Sequence, residues 1–244
     1  MNQPTCRSAP SIFQFFRKFV MIRRFGALLS SAFIVALPTL AQTSDQQVWT
    51  SVSMTGPVAE NSRLLIWFDG HARFSQDAEG LGVTILRPGL GWKVNDKVSL
   101  WGGYARVTSD SGSGDLEEDR FWQQSTYSVS KLFSGQVSGR TRLEQRWRDT
   151  GDDTGWRLRQ SFRWARPLGS DNLSLVLSNE IFWSLNDADW GQGEGYDQNR
   201  AFAGFAVKVS DRSQFEFGYL NNHIRRPGPD ASNNNLAISY SLRR

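Results

Sequence analysis

The chain has 244 residues, with 28 Lys and Arg against 24 Asp and Glu, a net charge of +4 and a pI near 9.5. A basic surplus spread over a folded surface would suit a nucleic-acid partner, but Arg7, Arg17, Lys18, Arg23 and Arg24 all fall in the first 41 residues, which hold no acids. From Gln42 onward 23 basic side chains stand beside 24 acidic ones. With no phosphate-cradling glycine loop and no zinc-ligand spacing, a nucleic-acid role is excluded.

The basic pair Arg23-Arg24, the apolar run from Phe25 to Leu37 and the ending Thr39-Leu40-Ala41 before polar residues are the three parts of a secretory signal. Cleavage is expected after Ala41, dividing the chain into a signal peptide over 1–41 and a mature part over 42–244. Ser30 and Ser31 interrupt the apolar run, which falls short of the roughly 20 residues a spanning helix needs. Met21 alone would open a compact signal, so residues 1–20 read as an extended start. Cys6, the one cysteine, precedes the apolar run, so the mature part has no disulfide framework to hold it.

The mean hydropathy of −0.46 is too polar for a bundle of membrane helices. A transmembrane barrel resolves this, because only alternate residues of each strand face lipid. In chain order, Val48–Thr55 opens the pattern. The segment 63–75 then sets Leu64, Ile66, Phe68, Gly70, Ala72 and Phe74 against Arg63, Asp69, His71 and Arg73. Runs over 83–94, 98–108 and 120–129 follow. Over 135–148, Val137, Gly139, Thr141, Leu143, Gln145 and Trp147 alternate with Arg140, Arg142, Glu144, Arg146 and Arg148. Over 156–167, Trp156, Leu158, Phe162 and Trp164 oppose Arg157, Arg159 and Arg163. The last runs cover 173–183, 198–209, 214–224 and 233–242.

These eleven segments point to a closed antiparallel transmembrane β-barrel. Single-chain bacterial barrels have an even strand number, so the expectation is 10 or 12, with Val48–Thr55 outside the membrane or one strand overlooked. A soluble sandwich also alternates, but it would leave an Arg-rich sheet uncovered. Trp92 and Trp101 flank the turn VNDK, Trp147 and Trp156 flank DTGDDTG, and parity puts all four on the apolar face as an aromatic girdle. Short connections alternate with long acidic ones, as periplasmic turns and external loops do. The chain is therefore expected in the bacterial outer membrane, against lipid and lipopolysaccharide. The final run, with Leu236, Ile238, Tyr240 and Leu242 on one face, has the form of a signal for the barrel assembly machinery, although Arg243 and Arg244 replace its usual terminal aromatic.

The stretches ILRPGLGWKV (85–94), LWGGY (100–104), RTRLEQRW (140–147), NEIFW (179–183), YDQNRAFAG (196–204) and EFGYL (216–220) resemble the DUF2490-like family of uncharacterised bacterial outer-membrane β-barrel proteins. The resemblance spans nearly the whole mature part. It implies a barrel in the outer membrane and supplies no activity, ligand or catalytic residue.

Turning the polar parity inward places Arg63, Arg73, Arg87, Lys93, Arg106, Arg140, Arg142, Arg146, Arg148, Arg157, Arg159, Arg163, Arg200 and Lys208 in the lumen with Asp69, Glu144, Glu180 and Glu216. Two readings follow: Arg rows that set anion preference in a narrow pore, or an Arg–carboxylate network that fills the interior and serves envelope maintenance. An outer-membrane lipid-modifying hydrolase or acyltransferase would need His71 or His223 beside a hydroxyl, and neither has a serine at a recognisable catalytic spacing. Asp187, Asp189 and Glu194 carry oxygen ligands suited to Ca²⁺, but a solvated, self-repelling loop accounts for them better. No catalytic residue, cofactor or metal site is assigned.

Overall fold

The structure, a computed structural model, describes residues 45–75, 80–112 and 114–244, with the side chains of Ser170 and Asp171 outside the description. The signal peptide expected over 1–41 lies outside the described residues.

Eleven strands follow one another with no helix among the described residues. They are β1 (Gln46–Pro57), β2 (Leu64–Ser75), β3 (Gly80–Lys93), β4 (Val98–Asp110), β5 (Asp115–Leu132), β6 (Gly135–Arg148), β7 (Gly155–Leu168), β8 (Ser170–Ser184), β9 (Gly195–Ser210), β10 (Ser213–Ile224) and β11 (Ala231–Arg243). Each pairs with its chain neighbour in antiparallel, and β1 meets β11 to close the barrel.

The count of 11 corrects the expectation of 10 or 12. An odd number makes the first and last strands run the same way, so the closing ladder is parallel, from Gln46↔Asn234 to Thr55↔Arg243. Parallel pairing is slightly weaker per residue, yet closure still removes both sheet edges. The Val48–Thr55 segment is a full member of the wall, paired on both sides. Alternation locates all eleven strands, and this barrel departs from the even strand number.

At one end of the barrel the connections are residues 58–63, 94–97, 133–134, 169 and 211–212. Phe133 and Ser134 both have positive φ there, the type I′ geometry whose twist matches a two-residue hairpin. At the other end lie 111–112, 149–154, 185–194 and 225–230.

Period two assigns the faces. Leu86, Leu90, Phe121, Val52 and Leu236 point out and are exposed, whereas Ile85, Arg87, Trp122 and Glu180 point in and are buried. Part of the interior wall of β2–β5 is apolar: Ile85, Ala105, Val107 and Trp122 form a buried cluster against Trp67, Val83 and Trp101. Glycines make room for the rings. A Cβ at Gly91 would strike Trp101, and one at Gly89 or Gly103 would strike Trp122. The indoles of Trp67 and Trp101 then meet edge to face at 5.2 Å.

Candidate functional site

The interior of the barrel holds the concentration of charge. On β5 to β8 the inward positions carry three carboxylates, each shared by several guanidiniums. Glu144, fully buried, accepts from Arg157 Nη2 and Arg159 Nη1, both at 2.7 Å. Glu180 accepts from Arg140 Nη2 at 2.7 Å and Arg159 Nη2 at 2.9 Å. Glu118 accepts from Arg120 Nε at 2.7 Å and Arg146 Nε at 2.5 Å, with Arg148 Nε 3.3 Å away. Charges out of water are tolerated when paired and hydrogen-bonded in this way. Aromatic faces complete the packing: Arg159 lies 4.4 Å from the Phe182 centroid and Arg142 lies 4.7 Å from that of Trp122. Arg142 Nε donates to Gln124 at 2.7 Å, while both its Nη atoms are buried without a hydrogen-bond partner.

The β8–β9 connection folds onto this layer. Trp190 lies 4.9 and 5.0 Å from the Arg146 and Arg148 guanidinium carbons, and Gln192 accepts from Arg146 at 2.9 Å. Asp189 fastens the connection to its neighbour by accepting from the Asp152 and Asp153 amides at 2.9 and 3.2 Å. Those amides hold its carboxyl below the usual carboxylate range.

The opposite side of the interior is unfilled. A cavity of about 1080 Å³ runs along the wall where β1 and β11 present Ser51, Ala237 and Ser239, and it reaches Thr55, Lys97 and Arg243 at the short-connection end. Its lining includes Arg73, Arg87, Arg120, Arg140, Arg157, Arg159, Arg163 and Arg200, against Asp69, Glu180 and Glu216 in the interior. Asp69 is held by Arg87 at 2.9 Å and Trp67 Nε1 at 3.1 Å, and Glu216 by Arg163 at 2.6 Å. Guanidinium therefore outnumbers carboxylate around the empty space.

Of the residues expected in the lumen, Arg73, Arg140, Arg142, Glu144, Arg146, Arg148, Arg157, Arg159, Arg163, Glu180, Arg200 and Glu216 stand on the inner parity of their strands. Arg106 does not. It shares the outer parity of β4 with Tyr104 and pairs with Asp119 at 2.7 Å and with Glu117, while Ala105 and Val107 occupy the interior. Arg63 precedes β2 and is exposed. Trp92, Trp147 and Trp156 point outward. Trp101 points inward, because the register pairs Trp92 with Leu100 and sets Trp101 opposite Gly91. Both strand ends carry apolar residues of either parity there, so inspection of the turn alone misassigns the face. Glu118 and Arg120 were overlooked as interior residues because β5 begins at Asp115, five residues before the apolar run, and the alternation Glu118, Arg120, Trp122, Gln124 was the available signal.

His71 lies inside, with Nε2 3.4 Å from Asp69 Oδ1, and the β1·β2 register sets Ser51 directly opposite it. His223 lies near the long-connection rim, where Nδ1 is 3.0 Å from the Tyr196 hydroxyl. Asp187 accepts from the Glu194 amide at 2.8 Å, so it and Asp189 serve backbone donors, and among the described residues no three potential metal ligands converge.

The family described as "Protein of unknown function (DUF2490)" matches residues 46–233. The chain belongs to this family. The match runs from the first residue of β1 into β11, so the DUF2490 region contains the whole ion-pair layer. An uncharacterised protein of Methylorubrum extorquens is 38% identical over 212 residues, covering 84% of this chain and 91% of the relative. Among solved structures, the translocator domain of the autotransporter NalP from Neisseria meningitidis matches at 13% identity and TM-score 0.41, over 69% of this chain and 70% of that one. OmpT of Vibrio cholerae matches at 10% and 0.36, over 66% and 55%. The siderophore receptor PirA from Pseudomonas aeruginosa matches at 12% and 0.34; the chain covers 34% of the receptor's length, with 70% of itself aligned.

Proposed function

We propose that this protein is a bacterial outer-membrane barrel that admits small anionic solutes to an Arg-lined interior from its short-connection end. The observation that carries the reading is the cavity of about 1080 Å³, lined by ten guanidiniums, Arg243 and Arg244 at its mouth among them, against the carboxylates of Asp69, Asp96, Glu180 and Glu216. Membrane placement is supported by the outward belt of exposed Leu, Phe, Val and Trp, which a soluble barrel would have to cover. Lipid and lipopolysaccharide then surround the belt, and the assembly machinery inserts it. Short connections face the periplasm under this reading, and the Glu118–Arg146–Trp190 layer narrows the path toward the outside. Passage is therefore restricted, and the barrel acts as a narrow port, not as an open tube.

Planar-bilayer recording of the refolded mature chain tests this. Small, anion-selective steps are expected. Cation selectivity would contradict the charge assignment, and a complete absence of current would leave a structural role in the envelope. A second reading, as a lipid-modifying hydrolase, rests on the placement of Ser51 opposite His71 with Asp69 nearby. It predicts phospholipid turnover that Ser51→Ala and His71→Ala abolish.

A further inference from the structure

Arg73 and Arg200 differ from the other interior guanidiniums. Among the described residues neither has a carboxylate within ion-pair distance: Arg200 donates to Asn222 at 3.2 Å and Gln198 at 3.5 Å, both neutral, and Arg73 Nε is buried without a partner. Glu180, the register neighbour of Arg200, is already taken by Arg140 and Arg159. Yet both guanidiniums are held in place. They lie on one indole, with Arg73 Cζ 3.9 Å and Arg200 Cζ 4.9 Å from the Trp49 centroid. Stacking fixes the plane of a guanidinium and leaves its N–H edge free to bind. All three residues line the cavity, and Ala237, beside Trp49 on β11, fills little of the space in front of them.

Two fixed positive forks on a cavity wall, with no carboxylate of the described residues within ion-pair distance, favour a counter-ion there. Planar forks bind two oxygens at once, and a phosphate group offers enough oxygens and charge to engage both. We propose that Arg73 and Arg200, held against Trp49, form a binding site for the phosphate group of a small solute inside the barrel. This rests on the reading of the interior as a port for anions, and it names their chemical class.

The refolded mature chain in phospholipid-free detergent, titrated calorimetrically with inorganic phosphate against chloride at matched ionic strength, tests the site. Saturable binding of one phosphate is expected. Arg73→Gln and Arg200→Gln should each weaken it about tenfold or more, the loss of one charge-assisted contact, while Arg212→Gln in the exposed β9–β10 turn should leave it unchanged. Circular dichroism identifies folded variants, and if one of the pair fails to fold the other still decides. Equal response to chloride, or wild-type affinity in the folded variants, overturns the site. Affinity kept after transfer to phospholipid bilayers supports a soluble ligand; loss there overturns the solute in favour of a lipid headgroup. Phosphate binding without conductance keeps the site and removes passage, whereas anion conductance without phosphate binding overturns the site and keeps the port.

Discussion

The two sides of the interior are built on one sheet and filled in opposite ways. From β5 to β8 the inward positions hold Trp122, Arg142, Glu144, Arg159 and Phe182, long or broad side chains that are all buried. Across from them β1 and β11 offer Ser51, Ala237 and Ser239, which border the cavity. Strand number leaves a barrel of this size between the filled and the open classes. Side-chain volume at alternate positions decides the outcome locally, so half of the lumen is core and half is cavity.

Substitutions of graded effect sharpen this contrast. The largest belongs to Glu144→Ala, which takes from buried Arg142 its ion-pair partner and from Arg157 and Arg159 one of their two carboxylates in the packed half. A loss of about 3–5 kcal/mol is expected, read from urea unfolding of the refolded barrel. Next comes Gly103→Ala, whose added methyl meets the Pro88 carbonyl and the Trp122 ring. Overpacking there should cost about 1–3 kcal/mol, with the change visible in near-ultraviolet circular dichroism. Ser239→Leu adds more volume but places it in the cavity. It should cost about 1 kcal/mol at most while reducing any anion current; a loss equal to that of Glu144→Ala would erase the distinction between the halves.

The smallest effect concerns Asp189, exposed in the β8–β9 connection. Its carboxyl pKa is lowered on folding, so its contribution is present above the ordinary value near 4 and fades as pH falls through the folded value. Amide exchange at Asp152 and Asp153 should quicken on that descent, relative to intrinsic rates, and should lack this pH step in Asp189→Asn.

Much of this was legible in the residues. Period two located eleven strands, and the Arg and Glu rows of 140–148 and 157–163 face inward as alternation required, because a strand offers its side chains no third direction. Trp101 and Arg106 were misplaced because β4 carries apolar and polar residues on both parities, and only cross-strand register, with Gly91 and Gly103 receiving indoles, chooses between them. The cavity was not legible. Its existence depends on which strands become neighbours across the barrel, and the closing pair of β1 with β11 is set by a strand parity that no local pattern records. The unpaired state of Arg73 and Arg200 likewise appears only once Glu180 is seen to be occupied by others.

Adjacent residues on the cavity wall face opposite media. Described strands contain no cysteine, so Ser239→Cys and Ile238→Cys can be compared in the barrel reconstituted in lipid vesicles, using an anionic, membrane-impermeant thiol reagent applied to both faces. Rapid labelling is expected at 239 and protection at 238. Protection at 239 with labelling at 238 would contradict it.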